Sequence, residues 1–201
     1  MVLQTTLGQL LINAALPEDM VDYQRVWDKK GLADTLRTLA EQHPDKYRDV
    51  SKSLADIGRQ AATESGGNSF GLAHMRKAKA SVAIAKEIQG KLTKILDNDD
   101  LTDKQRNEMI VRTVGGYSDR QMTEVLKESL DEKNPLALQI LSGSRGNKMN
   151  LASLRGSDML YADHHDEVIP LPVLRSYSQG LTPAEYWAGT YGARRGVMAT
   201  K

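Results

Sequence analysis

Two short strings place arginines where an oxyanion would be welcome. In Ser142-Gly143-Ser144-Arg145-Gly146-Asn147, glycines at 143 and 146 let backbone amides turn toward one concavity, which favours an anion. The hydroxyls of Ser142 and Ser144 add donors, and the Arg145 guanidinium is a fork able to hold two phosphate oxygens. A flexible turn with one solvated arginine is the plainer reading of so Gly- and Ser-rich a string. Near the other end, Tyr191-Gly192-Ala193-Arg194-Arg195-Gly196 sets two adjacent arginines among small residues. An unpaired charge is costly to bury, so Arg194 and Arg195 need partners or solvent. Gly192, Ala193 and Gly196 leave a face on which a bulky partner comes close.

Two other clusters are weaker. In Asp97-Asn98-Asp99-Asp100-Leu101-Thr102, followed by Glu108, carboxylates occupy positions one, three and twelve of a calcium loop. Leu101 cannot ligate at position five and Thr102 stands where a glycine is required, so a solvated turn is the better account. His164-His165-Asp166 offers ligand types, but adjacent side chains are expected to point apart, and a polar loop explains it.

The elements that must carry these residues read as helices. Residues 3–16 are mostly apolar and stop at Pro17, as a buried strand or a short helix. Leu32, Leu36, Leu39 and Ala40 recur at helical spacing up to His43-Pro44. Val50, Leu54, Ile57 and Ala61 face one side of a second helix that Ser65-Gly66-Gly67 breaks. Ile84, Ile88, Leu92 and Ile95 mark one face of an amphipathic helix. A polar turn at 97–100 follows, with Thr102 as N-cap of the returning helix through Ile110, Val114 and Tyr117. Gly115-Gly116 interrupts that helix, with Ser118 or Asp119 recapping before Val125, Leu126 and Leu130. Residues 76–132 therefore read as a protruding antiparallel helical hairpin between a helical segment, 1–75, and a glycine- and arginine-rich one, 133–201. Residues 168–174 suit a short strand. Thr182 as N-cap, Pro183 in the first turn and Glu185 at the third position start a final helix that runs to Lys201 without a stop signal. Trp187 is expected to anchor that helix in the core.

Composition fits a mainly α protein. The chain has 201 residues, 40% hydrophobic but only 5% aromatic with a single Phe, so its cores must be built from Leu, Ile, Val, Ala and Met. Lys and Arg total 27 against 26 Asp and Glu, so no bulk basic field advertises nucleic-acid binding. With no cysteine, disulfides and thiolate metal sites are excluded. No apolar run approaches a membrane span, and Met1-Val2-Leu3-Gln4 lacks a signal-peptide pattern. A soluble, cytoplasmic chain is the expectation.

The order and separation of 142–147, Gly180-Leu181-Thr182-Pro183 and 191–196 resemble one stretch of the β′ subunit of multisubunit DNA-directed RNA polymerases. That stretch runs from the loop lining the nucleotide-entry channel (the F-loop) into the bridge helix. Thr5-Thr6-Leu7-Gly8 is similar to the family's Thr-Thr-x-Gly-Arg string, with Gln9 in place of the arginine, and Ala61-Ala62-Thr63-Glu64-Ser65-Gly66 also has a counterpart. The resemblance implies a β′ fragment whose hairpin corresponds to the rim helices and whose last helix is the first half of the bridge helix. It implies that Arg145 contacts the triphosphate of the incoming nucleotide and that Arg194, matching Gly-Ala-Arg-[Lys/Arg]-Gly residue for residue, faces template phosphate together with Arg195. Where the family usually has a second Gly-Met-Arg-Gly string, this chain has Gly156-Ser157-Asp158-Met159. Arg155, in an apolar segment with Leu151 and Leu154, is displaced from that pattern, and the role of that family position does not carry over to it. The metal-binding Asn-Ala-Asp-Phe-Asp-Gly-Asp string is missing, so no catalytic residue is expected here and Mg²⁺ would be held by another chain. The implied partners are a β-like subunit, the remaining β′ parts, template DNA, RNA and nucleoside triphosphates. A chain ending in mid-helix is the pattern of a split subunit, as in some large phages, which would place it in the host cytoplasm. The alternative is a stand-alone helical interaction protein that regulates transcription through its hairpin.

Overall fold

The computed structural model describes residues 4–199, with backbone alone at Arg195 and Ala199. Nine α-helices account for most of the described residues: α1 (Leu7–Ala14), α2 (Lys29–Gln42), α3 (Tyr47–Ser65), α4 (Lys79–Leu96), α5 (Asp103–Gly115), α6 (Ser118–Asp131), α7 (Pro135–Leu141), α8 (Lys148–Arg155) and α9 (Pro183–Ala199). The expected continuation of the last helix to Lys201 extends past the described residues. Two compact units form, one from Met1–Ser69 and Leu138–Arg145, the other from Phe70–Ala137 and Gly146–Lys201.

In the first unit, the apolar run before Pro17 is helical. Thr6 and Gln9 form a capping box in which each side chain bonds the other's backbone N–H, satisfying amides that a strand would have left to a partner strand. Asn13, 2% exposed, donates to the Gln9 and Asp22 carbonyls and accepts the Asp22 N–H. One buried amide thus pins the following segment to α1. Leu16, Leu39 and Val50 form the core, with Ile12, Met20, Trp27, Leu36 and Leu54 around them. On α2 the buried face includes Thr35, which accepts from Arg25 and donates to the Gly31 carbonyl. The expected stripe is rotated as a result: Leu32 and Ala40 are exposed. Ala61 is exposed too, as is every residue of α3 from Gly58 to Ser65.

The second unit is built on α4. Ile84, Ile88, Leu92 and Ile95 meet Ile110 and Val114 of α5, with Met159 closing the cluster. The chain reverses through residues 97–102, where Asn98 accepts the Asp100 N–H and Thr102 and Gln105 form a capping box. Arg106 donates back to the Asn98 and Leu101 carbonyls and fastens the turn. The interruption after α5 is a shift in hydrogen bonding, not a capped restart. Gly116 and Tyr117 keep helical dihedrals and no side chain caps α6. The buried stripe of α6 is Gln121, Val125 and Ser129, four residues apart. Its two polar members are satisfied: Gln121 accepts from Ser81 and Ser157 and donates to the Ser157 carbonyl, and Ser129 bonds the Val125 carbonyl. The expected strand at 168–174 reduces to isolated antiparallel bridges, Ala162 with Val168 and Met159 with Val173.

Candidate functional site

The 142–147 string joins the end of α7 to the start of α8, and its backbone is committed at both ends. Gly143, at φ 72°, donates its N–H to the Ile140 carbonyl, and Ser144 donates to the Gln139 carbonyl. This pair is the Schellman closure of a helix C-terminus, which needs a left-handed residue at that position. Lys29 Cβ lies 3.1 Å from where a side chain on Gly143 would begin, a second reason for glycine. The Arg145 N–H also goes to Gln139, at 3.3 Å, and the hydroxyls of Ser142 and Ser144 bond the same carbonyl. At the far end, Asn147 and Asn150 cap α8 reciprocally.

The expected amide concavity is therefore absent. The N–H groups of residues 143–145 satisfy the Gln139 and Ile140 carbonyls at the end of α7, so helix termination uses the amides that an anion would need. What remains for a ligand is the Arg145 side chain, which is exposed and has no ion pair among the described residues. Ser142 and Ser144 also border a cleft of about 400 Å³ lined by Trp27, Asp28, Asn68 and Gln139. Arg145 does not line it.

Arg155 has the opposite fate. It is 3% exposed, and its three guanidinium nitrogens donate to three different groups: Nε to the Arg76 carbonyl at 2.8 Å, one Nη to Ser129 Oγ at 2.6 Å, the other to Glu132 at 2.7 Å. Its own carbonyl accepts the Ala78 N–H. It clamps the end of α8 to α6 and to the chain entering α4, so its function is architectural. Nothing in the spacing of Leu151, Leu154 and Arg155 signals this, because all three recipients lie far away in sequence.

The last helix starts as its sequence predicts. Thr182 accepts the Glu185 N–H, and Glu185 accepts the Thr182 N–H. Glu185 also accepts from the Leu174 and Arg175 amides, so one carboxylate caps α9 and fastens it to the preceding segment. Burial raises its pKa, but these hydrogen bonds outweigh that and hold it below the usual carboxylate value. Lys77, whose Nζ donates to the Leu174 carbonyl, is pulled down by burial.

Beyond its first turns α9 is largely unaccompanied. Ala188 is buried, but Trp187 is 67% exposed and Tyr186 66%, contrary to the expected core anchor. The small inward residues Ala188 and Gly189 face the unit and leave the aromatic pair on the outside. Val197 and Met198 are also exposed and lie eleven residues on, about three turns, so they share that face. Arg194 is exposed and, seven residues after Trp187, falls on the same stripe. The Arg195 side chain lies outside the described residues. Arg145 and Arg194 belong to different units.

In the polar loop, Asp163 accepts the His165 and Glu167 amides, which together with the nearby histidines lowers its pKa. The His164 and His165 rings are 3.9 Å apart rather than divergent, and the turn continues through Asp166 at φ 68°. Among the described residues, no group of three or more His, Asp or Glu side chains is placed to hold a metal ion, and no helix is long and apolar enough to cross a membrane.

No family model matches the chain. Individual relatives do. The chain is 31% identical over 99% of its length to the DNA-directed RNA polymerase subunit beta′ of Kocuria rhizophila, of which it covers 16%. It is 30% identical over 99% of its length to the same subunit of Syntrophomonas wolfei, covering 17% of it. The beta′ subunit of Petrotoga mobilis is 29% identical, again over 99% of the chain and 12% of the relative. The chain thus spans about a sixth or less of the length of the curated relatives it matches. Helical architecture, the order of the glycine–arginine strings and a match running nearly end to end agree: the chain is a homologue of one segment of the DNA-directed RNA polymerase β′ subunit.

Proposed function

We propose that this chain works as a non-catalytic part of a multisubunit DNA-directed RNA polymerase, supplying nucleotide-channel and template-contacting elements to RNA synthesis. The observation that carries the reading is the match to β′ subunits over 99% of the chain, with Arg145 and Arg194 both exposed. Arg145 binds the triphosphate of the incoming nucleotide. Its backbone is fixed by the closure of α7 while its guanidinium makes no ion pair among the described residues, which suits a bidentate grip on phosphate oxygens. Arg194, with Arg195, lies against template phosphate, and α4 with α5 and α6 forms a rim-helix hairpin on which channel-binding factors dock. The residues described do not fit a Mg²⁺ site. The reaction's metal belongs to another chain, and no chemical step is assigned to this one.

The partners in this reading are a β-like subunit, the remaining β′ parts, template DNA, RNA and nucleoside triphosphates, in the cytoplasm of a cell or of a phage's host. Affinity purification of the tagged full chain from its native source tests it. Stoichiometric recovery with polymerase subunits, one of them carrying the metal-binding aspartates, is the expected result. Recovery without any such subunit would favour the alternative, a stand-alone helical interaction protein that regulates transcription.

A further inference from the structure

Tyr161 packs closely against α9 at Gly189. Its Cε2, Cζ and hydroxyl oxygen lie 3.1, 3.2 and 3.4 Å from where a Cβ on Gly189 would be, so a side chain there requires the Tyr161 ring to give by a few tenths of an ångström. The ring has little room to give way. Its hydroxyl donates to Asp158, whose other oxygen accepts from Ser153 of α8. The Tyr177 hydroxyl joins the same group. The Tyr161 carbonyl accepts the Ile169 N–H at 2.9 Å, and Met159, two residues earlier, is bridged to Val173. Burial, then the bond to Asp158, pushes the Tyr161 phenol far above its ordinary value of 10, so it stays a donor at any working pH.

We infer that Tyr161, held by Asp158, is a positioning residue that sets the height of α9 and thereby the place of Arg194, which rests on the reading of Arg194 as a template contact. The geometry is a lever. Glu185 is fastened to residues 174, 175 and 182, and from residue 192 onward the described side chains are exposed. Gly189 lies about 6 Å along the axis from Glu185 and Arg194 about 13.5 Å. A shift of about 0.5 Å at Gly189 becomes about 1 Å at Arg194, enough to spoil a hydrogen bond to phosphate. Tyr161 touches neither nucleotide nor template in this account. It acts through the helix.

Amide hydrogen exchange across residues 185–191 of the full chain reads the clamp directly, through the sign of one substitution in two backgrounds. An exposed helical glycine replaced by alanine slows exchange roughly five-fold from helix propensity alone. Gly189→Ala in the native background should instead speed it, because the new methyl meets the Tyr161 ring. In a Tyr161→Ala background the same substitution should slow it. Slower exchange in both backgrounds overturns the inference. Should Tyr161→Ala not fold, Tyr161→Phe keeps the ring but frees it from Asp158, and the Gly189→Ala penalty should shrink; an undiminished penalty removes Asp158 from the account. In the assembled polymerase, Gly189→Ala should weaken template binding roughly ten-fold with the KM for nucleotides unchanged, and a changed KM with unchanged template binding counts against it. Arg194→Ala with unaltered template affinity would sink the template reading and the functional half of the inference. The exchange result would still decide the clamp itself.

Discussion

The carboxylate of Glu128, on α6, caps the N-terminus of α4: one oxygen accepts the Lys79 N–H at 2.8 Å and the other the Ala80 N–H at 2.8 Å. α4 has no side-chain cap of its own, because its N-cap residue is Ala78. A negative charge from another helix satisfies two of its open amides and faces the positive end of its dipole. Glu128→Ala should therefore destabilise the chain by about 1–2 kcal/mol, and Glu128→Gln by about half of that, since one acceptor oxygen survives. Urea denaturation followed by circular dichroism checks this. Equal stability of Glu128→Ala and the native chain would show that water caps α4 as well.

Arg155 invites a larger effect. Replacing it by alanine opens a cavity and leaves the Ser129 hydroxyl, the Arg76 carbonyl and Glu132 without their donor. A loss of about 2–4 kcal/mol is expected. Glu132 is 48% exposed at its side chain and can be rehydrated, which keeps the figure below that for breaking a fully buried pair. Arg155→Lys should recover less than half of the loss, since an ammonium cannot reach three recipients set out for a planar fork. Full recovery by lysine would mean that charge rather than geometry holds this corner.

Glu185 gives a pH dependence with a definite sign. Burial favours its neutral form, but bonds from Thr182, Arg175 and Leu174 leave its folded value below the ordinary 4.5. A group depressed on folding adds stability above its unfolded pKa and loses it as pH falls through the folded value. Attachment of α9 should thus be unaffected at neutral pH and weaken below about pH 4.5, visible in near-ultraviolet circular dichroism from Tyr161 and Tyr191. Glu185→Gln should flatten that part of the profile. A native profile as flat as the variant's would remove the carboxylate from the account.

For Arg145, structure and function should separate cleanly. Its side chain makes no ion pair among the described residues, so Arg145→Ala should leave the thermal midpoint within about a degree of native. In the reconstituted polymerase, loss of one charge-assisted phosphate contact should lower kcat/KM roughly 10–150-fold, about 1.5–3 kcal/mol. Gly143→Ala should do the reverse, costing stability because φ 72° and the Lys29 contact both resist a side chain. Undiminished kcat/KM for all four nucleotides in Arg145→Ala would end the triphosphate assignment.

What the sequence determined by itself is local. The spacing of Ile84, Ile88, Leu92 and Ile95 predicts a face that the structure buries against Ile110 and Val114, since burial of a helix repeats every 3.6 residues whatever lies opposite. Thr102 and the Thr182–Glu185 pair predict helix starts that the hydrogen bonds bear out, because a cap closes within four residues of chain. Tertiary structure decided the rest. Whether the amides of residues 143–145 wait for an anion or close α7 depended on how the helix ends. Whether Arg155 is solvated or enclosed depended on Arg76, Ser129 and Glu132, which are 79, 26 and 23 residues away. Trp187 reads as core by type, yet the side of α9 that meets Tyr161 is the one with Gly189, and a helix cannot bury both faces against one neighbour. Periodicity and caps are properties of a segment; enclosure is a property of what packs against it.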